Sequence, residues 1–209
     1  MIEKLEYFKY TPQTNTIIDS EDPANNSEII PDQKKGYKIQ VRSRMVYKFE
    51  LFYYSDIIFV KFYPSILESS ADKYSRSNIG LTLTEIRKLL NTCCKIVHVE
   101  MNKKENEDKI YAFIGQWYSK DNQLKRLYTI RYSIYLKQTA NVFFQDIYHH
   151  NWFETLNLYC LSKAKYERHS KKVSDLLHFL AASPSLLMSF LTEEGKNRLI
   201  NEFPDTLID

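Results

Sequence analysis

Two adjacent histidines, His149 and His150, are the residues of this sequence best suited to proton transfer. Histidine changes charge near neutral pH, and a nearby carboxylate such as Glu154 could orient an imidazole for general acid–base chemistry. These three residues are therefore the candidates for a catalytic, hydrolytic site. Consecutive residues of an extended chain point to opposite faces, so the two histidines would seldom hold one metal ion. We predict no metal site and no cofactor.

A second set of residues mixes cations with aromatic rings and is suited to binding. Lysine and arginine neutralise phosphates while rings stack on unpaired bases, so the mixture is typical of surfaces that bind single-stranded nucleic acid. An ordinary half-buried sheet, with its rings in the core and its cations in solvent, gives the same mixture, and the sequence leaves both interpretations open. The candidate binding residues are Trp117, Lys120, Lys125, Arg126, Arg131 and Tyr135.

These binding candidates fall in residues 109–137, which we interpret as two antiparallel strands joined by a polar turn. Apolar and polar residues alternate from position 128 onward, which is the period of a strand, and Ser119–Asn122 is typical of a turn. A helix over residues 124–137 is the alternative, because several apolar residues also lie at helical spacing. That helix would place Arg131 within its apolar arc, where an unpaired guanidinium is unfavourable.

Three further strands are predicted on the N-terminal side of this segment. Alternation begins at Tyr37, and two apolar and aromatic runs follow at residues 46–54 and 57–63. Only Ser55 and Asp56 separate the two runs, so a tight hairpin must join them.

One long helix follows these strands. The sequence Thr82-Leu-Thr-Glu85 resembles a capping box, and apolar residues then recur every three or four positions, so a helix begins at Thr82 or Thr84. Cys93 lies on the apolar stripe, which favours a small core residue over a nucleophile.

The C-terminal third predicts two more strands and then short helices. We expect the strands at residues 141–148 and 152–162, joined by a turn at His149–Asn151. From residue 174 onward, leucine-rich stretches predict two or three short helices.

Together these elements predict an α+β fold: a mainly antiparallel sheet, one long helix packed on it and a short C-terminal helical segment. A strongly curved or barrel-like sheet is one form that the pattern allows. We expect residues 1–35 to be a polar, largely irregular arm, residues 36–168 the antiparallel α+β domain, and residues 169–209 helices that cap it.

The amino-acid composition argues against several classes of functional site. Four glycines cannot build a phosphate-binding loop, and three cysteines without a CxxC motif predict neither a disulfide framework nor a structural zinc site. The sequence shows no secretory signal and no apolar run long enough to span a bilayer, so we expect a cytoplasmic protein. The low glycine and high lysine, asparagine, tyrosine and isoleucine content is typical of an AT-rich bacterial or phage genome.

Charge is unevenly distributed although the formal net charge is only +3. Residues 1–33 and 173–209 are acidic, whereas residues 34–62 and 117–172 are basic. A basic middle could serve an anionic partner or could be neutralised by the acidic ends. We therefore predict a non-catalytic binding module that engages single-stranded nucleic acid or an acidic protein; the alternative is a hydrolase that acts on nucleic acid.

Overall fold

The computed structural model describes residues 5–17, 31–54, 56–69, 80–116, 148–153 and 156–161, together with the helical positions Lys171, Ser174, Asp175, His178 and Asn197. The described residues up to position 161 form one sheet, one long helix and two short 3₁₀ turns. The strands are β1 (Lys9–Ile17), β2 (Gln33–Arg42), β3 (Met45–Tyr54), β4 (Ile57–Pro64), β5 (Ile110–Gln116), β6 (Tyr148–Phe153) and β7 (Leu156–Leu161). The long helix is α1 (Leu83–Met101), and the 3₁₀ turns are Ser65–Leu67 and Lys104–Asn106.

The seven strands lie in the order β1-β2-β3-β4-β5-β7-β6. All neighbouring pairs are antiparallel except β4 and β5, which are parallel. The described strands β1 and β6 occupy the two ends of this order, so the sheet they form is open. The predicted antiparallel α+β class is confirmed, and its barrel-like form is wrong.

Helix α1 makes the parallel pair possible. Parallel strands need a long crossover connection, and α1, with 19 residues, lies within the connection between β4 and β5. Its first turn is fixed by the predicted capping box: the Thr82 backbone N–H donates to Oε2 of Glu85 at 2.8 Å, and the Glu85 N–H donates to the Thr82 hydroxyl at 3.2 Å. Thr82 is thus the N-cap, and the alternative start at Thr84 is excluded.

The core lies between α1 and one face of the sheet, which we call the helix face. Residues 37–40 of β2 alternate between buried and exposed positions because successive side chains point to opposite faces, whereas β3 and β4 are buried over most of their length. The apolar stripe of α1 covers the helix face, and Cys93 is buried within it as predicted, which raises the pKa of its thiol. Core residues include Tyr37, Ile39, Phe49, Leu51, Ile58, Leu89, Cys93, Val97 and Tyr111.

The N-terminal segment is more regular than its composition indicates. Residues 9–17, part of the arm that we predict to be irregular, form strand β1 and pair with β2. Just before it, the Phe8 N–H donates to the Thr92 hydroxyl of α1 at 2.9 Å. The polar sequence of β1 suits a strand at the edge of a sheet, where even Pro12 is tolerated despite its missing N–H.

The predicted turn at His149–Asn151 is wrong. These residues lie inside β6, where His149 is opposite Tyr159 and His150 is opposite Leu158 of β7. Three polar residues resemble a turn locally, but cross-strand pairing with β7 decides their conformation.

Strand β5 is the first part of the predicted hairpin over residues 109–137. The structure pairs β5 with β4 and β7, two partners that we do not predict from the sequence. Residues 117–137 lie outside the described part, so the second half of the hairpin stays a prediction. Within the described residues, no helix combines the length and apolar character that crossing a bilayer requires.

Removing the N-cap should destabilise the fold measurably. We expect Thr82→Ala to lower the free energy of unfolding by about 1 kcal/mol, because an N–H of the first turn loses its acceptor. Urea denaturation measures this change. Thr84→Ala is the matched control and should cost nothing, since alanine has the higher helix propensity. A larger loss for Thr84→Ala would contradict the assigned cap.

Candidate functional site

The residues predicted to bind or react from sequence are only partly described by the structure. Strand β6 contains His149 and His150, of which only the backbone pairing is described. They are consecutive positions of one strand, and such positions belong to opposite faces of the sheet. The remaining candidates, Trp117, Lys120, Lys125, Arg126, Arg131, Tyr135 and Glu154, lie outside the described residues.

The described part instead contains a buried ionic group at the end of α1. The Glu100 side chain is 1% exposed, and four side chains donate hydrogen bonds to its carboxylate. Lys35 and Tyr53 each bind Oε2 at 3.2 Å. The Tyr37 hydroxyl and the Lys103 ammonium group bind Oε1. We call these five residues the Glu100 cluster.

Elements distant in sequence bring the Glu100 cluster together. Lys35 and Tyr37 lie two positions apart on the helix face of β2, and Tyr53 lies on the same face of β3. The ammonium group of Lys35 also lies 5.0 Å from the centre of the Tyr53 ring, a cation–π distance. Behind the carboxylate, the Asn106 side chain donates to the backbone carbonyl of Glu100 at 3.0 Å and so closes the end of α1.

The Glu100 carboxylate is held ionised. Burial alone would raise its pKa, but hydrogen bonds from Lys103 and Tyr37 and the charges of Lys35 and Lys103 outweigh burial and lower the pKa. Burial, followed by the Glu100 charge, raises the pKa of both Tyr37 and Tyr53 well above the ordinary value. At neutral pH the carboxylate is therefore charged and the tyrosines are protonated. The arrangement suits a structural anchor better than a proton-transfer site.

A second feature lies on the other face of the sheet, across β1, β2 and β3. Lys38 of β2 is directly opposite Thr11 of β1 and Lys48 of β3, while Lys9 of β1 is opposite Gln40 of β2. Because the pairing register places these residues on one face, we call this set of five the lysine face. All of them are exposed except Lys48, which is partly exposed.

The charges of the lysine face are only partly balanced. Lys48 forms an ion pair with Glu68. In the described part of the chain, neither Lys9 nor Lys38 lies within ion-pair distance of a carboxylate. Among the described residues, the lysine face therefore carries more positive charge than its one paired carboxylate balances.

A nearby carboxylate on the same side of the sheet is already engaged. Glu50 is 5% exposed, and its Oε1 lies 2.8 Å from the Lys34 ammonium group and accepts a hydrogen bond from the Tyr63 hydroxyl at 3.0 Å. Its cross-strand partner on β4 is another cation, Lys61. Glu50 thus belongs to the buried part of this face and does not neutralise Lys38.

Sequence reasoning missed both features for different reasons. The alternation of Lys38 and Gln40 with Tyr37 and Ile39 does signal exposed cations on β2, but nothing local places Lys9 or Lys48 beside them. The Glu100 cluster leaves little local signal, because three of its four partners come from strands 47 to 65 residues away in sequence, and only Lys103 is near.

The described residues contain no group of three or more His, Cys, Asp or Glu side chains that could hold a metal ion. Comparison with family models, with curated proteins and with solved structures found no match for this chain.

Loss of the buried charge should be costly. We expect Glu100→Gln to lower the free energy of unfolding by about 3 kcal/mol, because the partly buried Lys35 and the Lys103 ammonium group lose their counter-charge. Urea denaturation at neutral pH measures the effect. Glu105→Gln, which changes an exposed glutamate in the next turn, is the matched control and should shift stability by less than about 0.5 kcal/mol. Equal effects of the two substitutions would contradict an anchoring role.

The same charge should make stability depend on pH. The folded-state pKa of Glu100 is lowered, so its contribution is complete above the ordinary glutamate value of 4.5 and is lost as pH falls through the lower folded-state pKa. We expect the stability difference between the wild-type chain and Glu100→Gln to shrink on acidification. Urea denaturation from neutral pH to about pH 3 measures it. A difference that stays constant with pH would show that Glu100 is not ionised in the fold.

Proposed function

We propose that the chain is a non-catalytic binding module for an anionic partner. The observation that carries the proposal is the lysine face, on which exposed ammonium groups lie close together with only one carboxylate, Glu68, paired to them among the described residues. Such a surface attracts polyanions and raises their association rate, whereas folding gains nothing from it.

The ionisation behaviour of the described residues supports a binding role over a catalytic one. General acids and bases work best when the pKa lies near the working pH. Every resolved shift among the described residues moves a pKa away from neutrality: the pKa of Glu85 falls to about 2, that of Tyr47 rises to about 12, and burial raises that of the Cys93 thiol. The tyrosines and the carboxylate of the Glu100 cluster follow the same trend.

The predicted basic and aromatic hairpin is the second part of the proposal. Its cations, Lys120, Lys125, Arg126 and Arg131, would add to the positive surface, and Trp117 and Tyr135 would supply rings for stacking. The partner is thus a nucleic acid or an acidic protein. Sequence composition supports this part, which lies outside the described residues.

A salt titration tests the proposed function. We expect the chain to bind at least one of three fluorescent polyanions, oligouridine, oligodeoxythymidine or polyglutamate. The logarithm of the binding constant should fall linearly with the logarithm of salt concentration, because binding releases counterions. Fluorescence anisotropy measures the binding. Failure to bind any of the three, or binding that ignores salt, would reject the proposal.

The same samples test the alternative of a hydrolase. We expect oligouridine and oligodeoxythymidine to remain intact after prolonged incubation with the chain, as electrophoresis would show. Cleavage by the wild-type chain that is lost in the double variant His149→Ala, His150→Ala would replace the binding module with an enzyme.

A further inference from the structure

We infer that the lysine face binds the sugar–phosphate backbone of a single-stranded nucleic acid. This inference rests on the proposed function, and it names the chemical class of the partner and the surface that receives it.

The first argument is the cross-strand register of β2 and β3. Lys38 and Lys48 are directly opposite each other, and like charges at such positions destabilise a sheet. Among the described residues, Glu68 forms an ion pair with Lys48, and no carboxylate forms one with Lys38. Features that weaken the folded state without a local compensation are expected at functional positions. A bound anion would supply the counter-charge that Lys38 does not receive from the described residues.

The second argument is the spacing of the cations. Lys9 of β1 is diagonal to Lys38, so the three lysines follow one another across three neighbouring strands. Neighbouring strands are about 4.8 Å apart, and flexible lysine side chains can adapt that spacing to successive phosphates. The exposed Thr11 hydroxyl lies opposite Lys38, and threonine commonly binds phosphate and sugar oxygens. Together, the three lysines and Thr11 would contact the sugar–phosphate backbone and would not contact the bases.

The third argument separates a nucleic acid from an acidic peptide. Peptides that bind sheets commonly add a strand at an open edge through main-chain hydrogen bonds. The described sheet ends at β1 and at β6, and β1 is the edge that carries part of the lysine face; there Pro12 lacks an N–H and the register shifts between Pro12 and Asn15. Both features hinder strand addition. The lysines lie on the face of the sheet, where a ligand is held by attraction between its negative charges and the ammonium groups.

Two double variants with the same loss of charge test the inference. Lys9→Gln with Lys38→Gln removes two cations of the lysine face. Arg87→Gln with Lys104→Gln removes two exposed cations, from α1 and from the 3₁₀ turn after it, that have no carboxylate within ion-pair distance in the described part of the chain. Both variants and the wild-type chain are titrated with fluorescent oligouridine, an RNA duplex and polyglutamate at several salt concentrations.

We expect the lysine-face variant to reduce the salt slope for oligouridine by about 1.4, since each phosphate contact on a single strand contributes about 0.7. If affinities converge near 1 M salt, the same change means about 25-fold weaker binding at 0.1 M salt. The control variant should lose much less. Urea denaturation measures the free energy of unfolding of the same variants. The lysine-face variant should be at least as stable as the wild-type chain, because a like-charge pair is gone. If the two lysines had a structural role, this variant would be less stable.

Three other outcomes would contradict the inference, each in a different way. If the wild-type chain binds oligouridine and the two variants lower the affinity equally, the lysine face is not the binding surface, and the proposed function stands. Equal or tighter binding of the duplex or of polyglutamate, with the same change in slope, would overturn the assigned partner class. If no polyanion binds at all, the proposed function fails together with this inference.

Discussion

The buried charge of Glu100 is the constraint on which the arrangement of the described elements depends. An ionised carboxylate outside water is stable only if donors surround it, and here they come from β2, from β3 and from the chain just after α1. Displacing any of these elements would leave the charge unsatisfied. Apolar contacts along α1 tolerate small sliding movements, whereas the Glu100 cluster fixes one position of the helix over the sheet.

Fixing the helix also divides the sheet into two surfaces with different roles. The helix face is occupied by apolar packing and by the Glu100 cluster, whose carboxylate has its donors within the fold. On the other face, β3 and β4 carry the buried residues Glu50, Phe59 and Tyr63, while β1 and β2 expose lysine and uncharged polar side chains. The exposed part borders a buried part whose own carboxylate already has partners. Among the described residues, positive charge on this face therefore exceeds negative charge.

What the sequence could predict depends on how local the governing interaction is. The capping box spans four residues, and the patterns that predict β2, β3 and β4 each lie within one strand, so these predictions are confirmed. β1 was missed because a polar edge strand has the composition of a linker. His149–Asn151 was assigned to a turn because pairing with β7 leaves no mark in those three residues. The Glu100 cluster depends on contacts between residues far apart in sequence, which no local pattern records. The predicted binding residues 117–135 lie outside the described part and remain a hypothesis.

The parallel contact between β4 and β5 has a consequence for the order in which the chain folds. Strands β2, β3 and β4 are joined by very short connections, so little chain entropy is lost when they meet. β5 reaches β4 only across the long connection that includes α1, and this contact becomes favourable once the helix has docked. We expect the three-stranded meander to form early and to template the helix, with β5 and the strands beyond it joining last. The far end of the sheet would then be the part that opens first under mechanical or thermal stress.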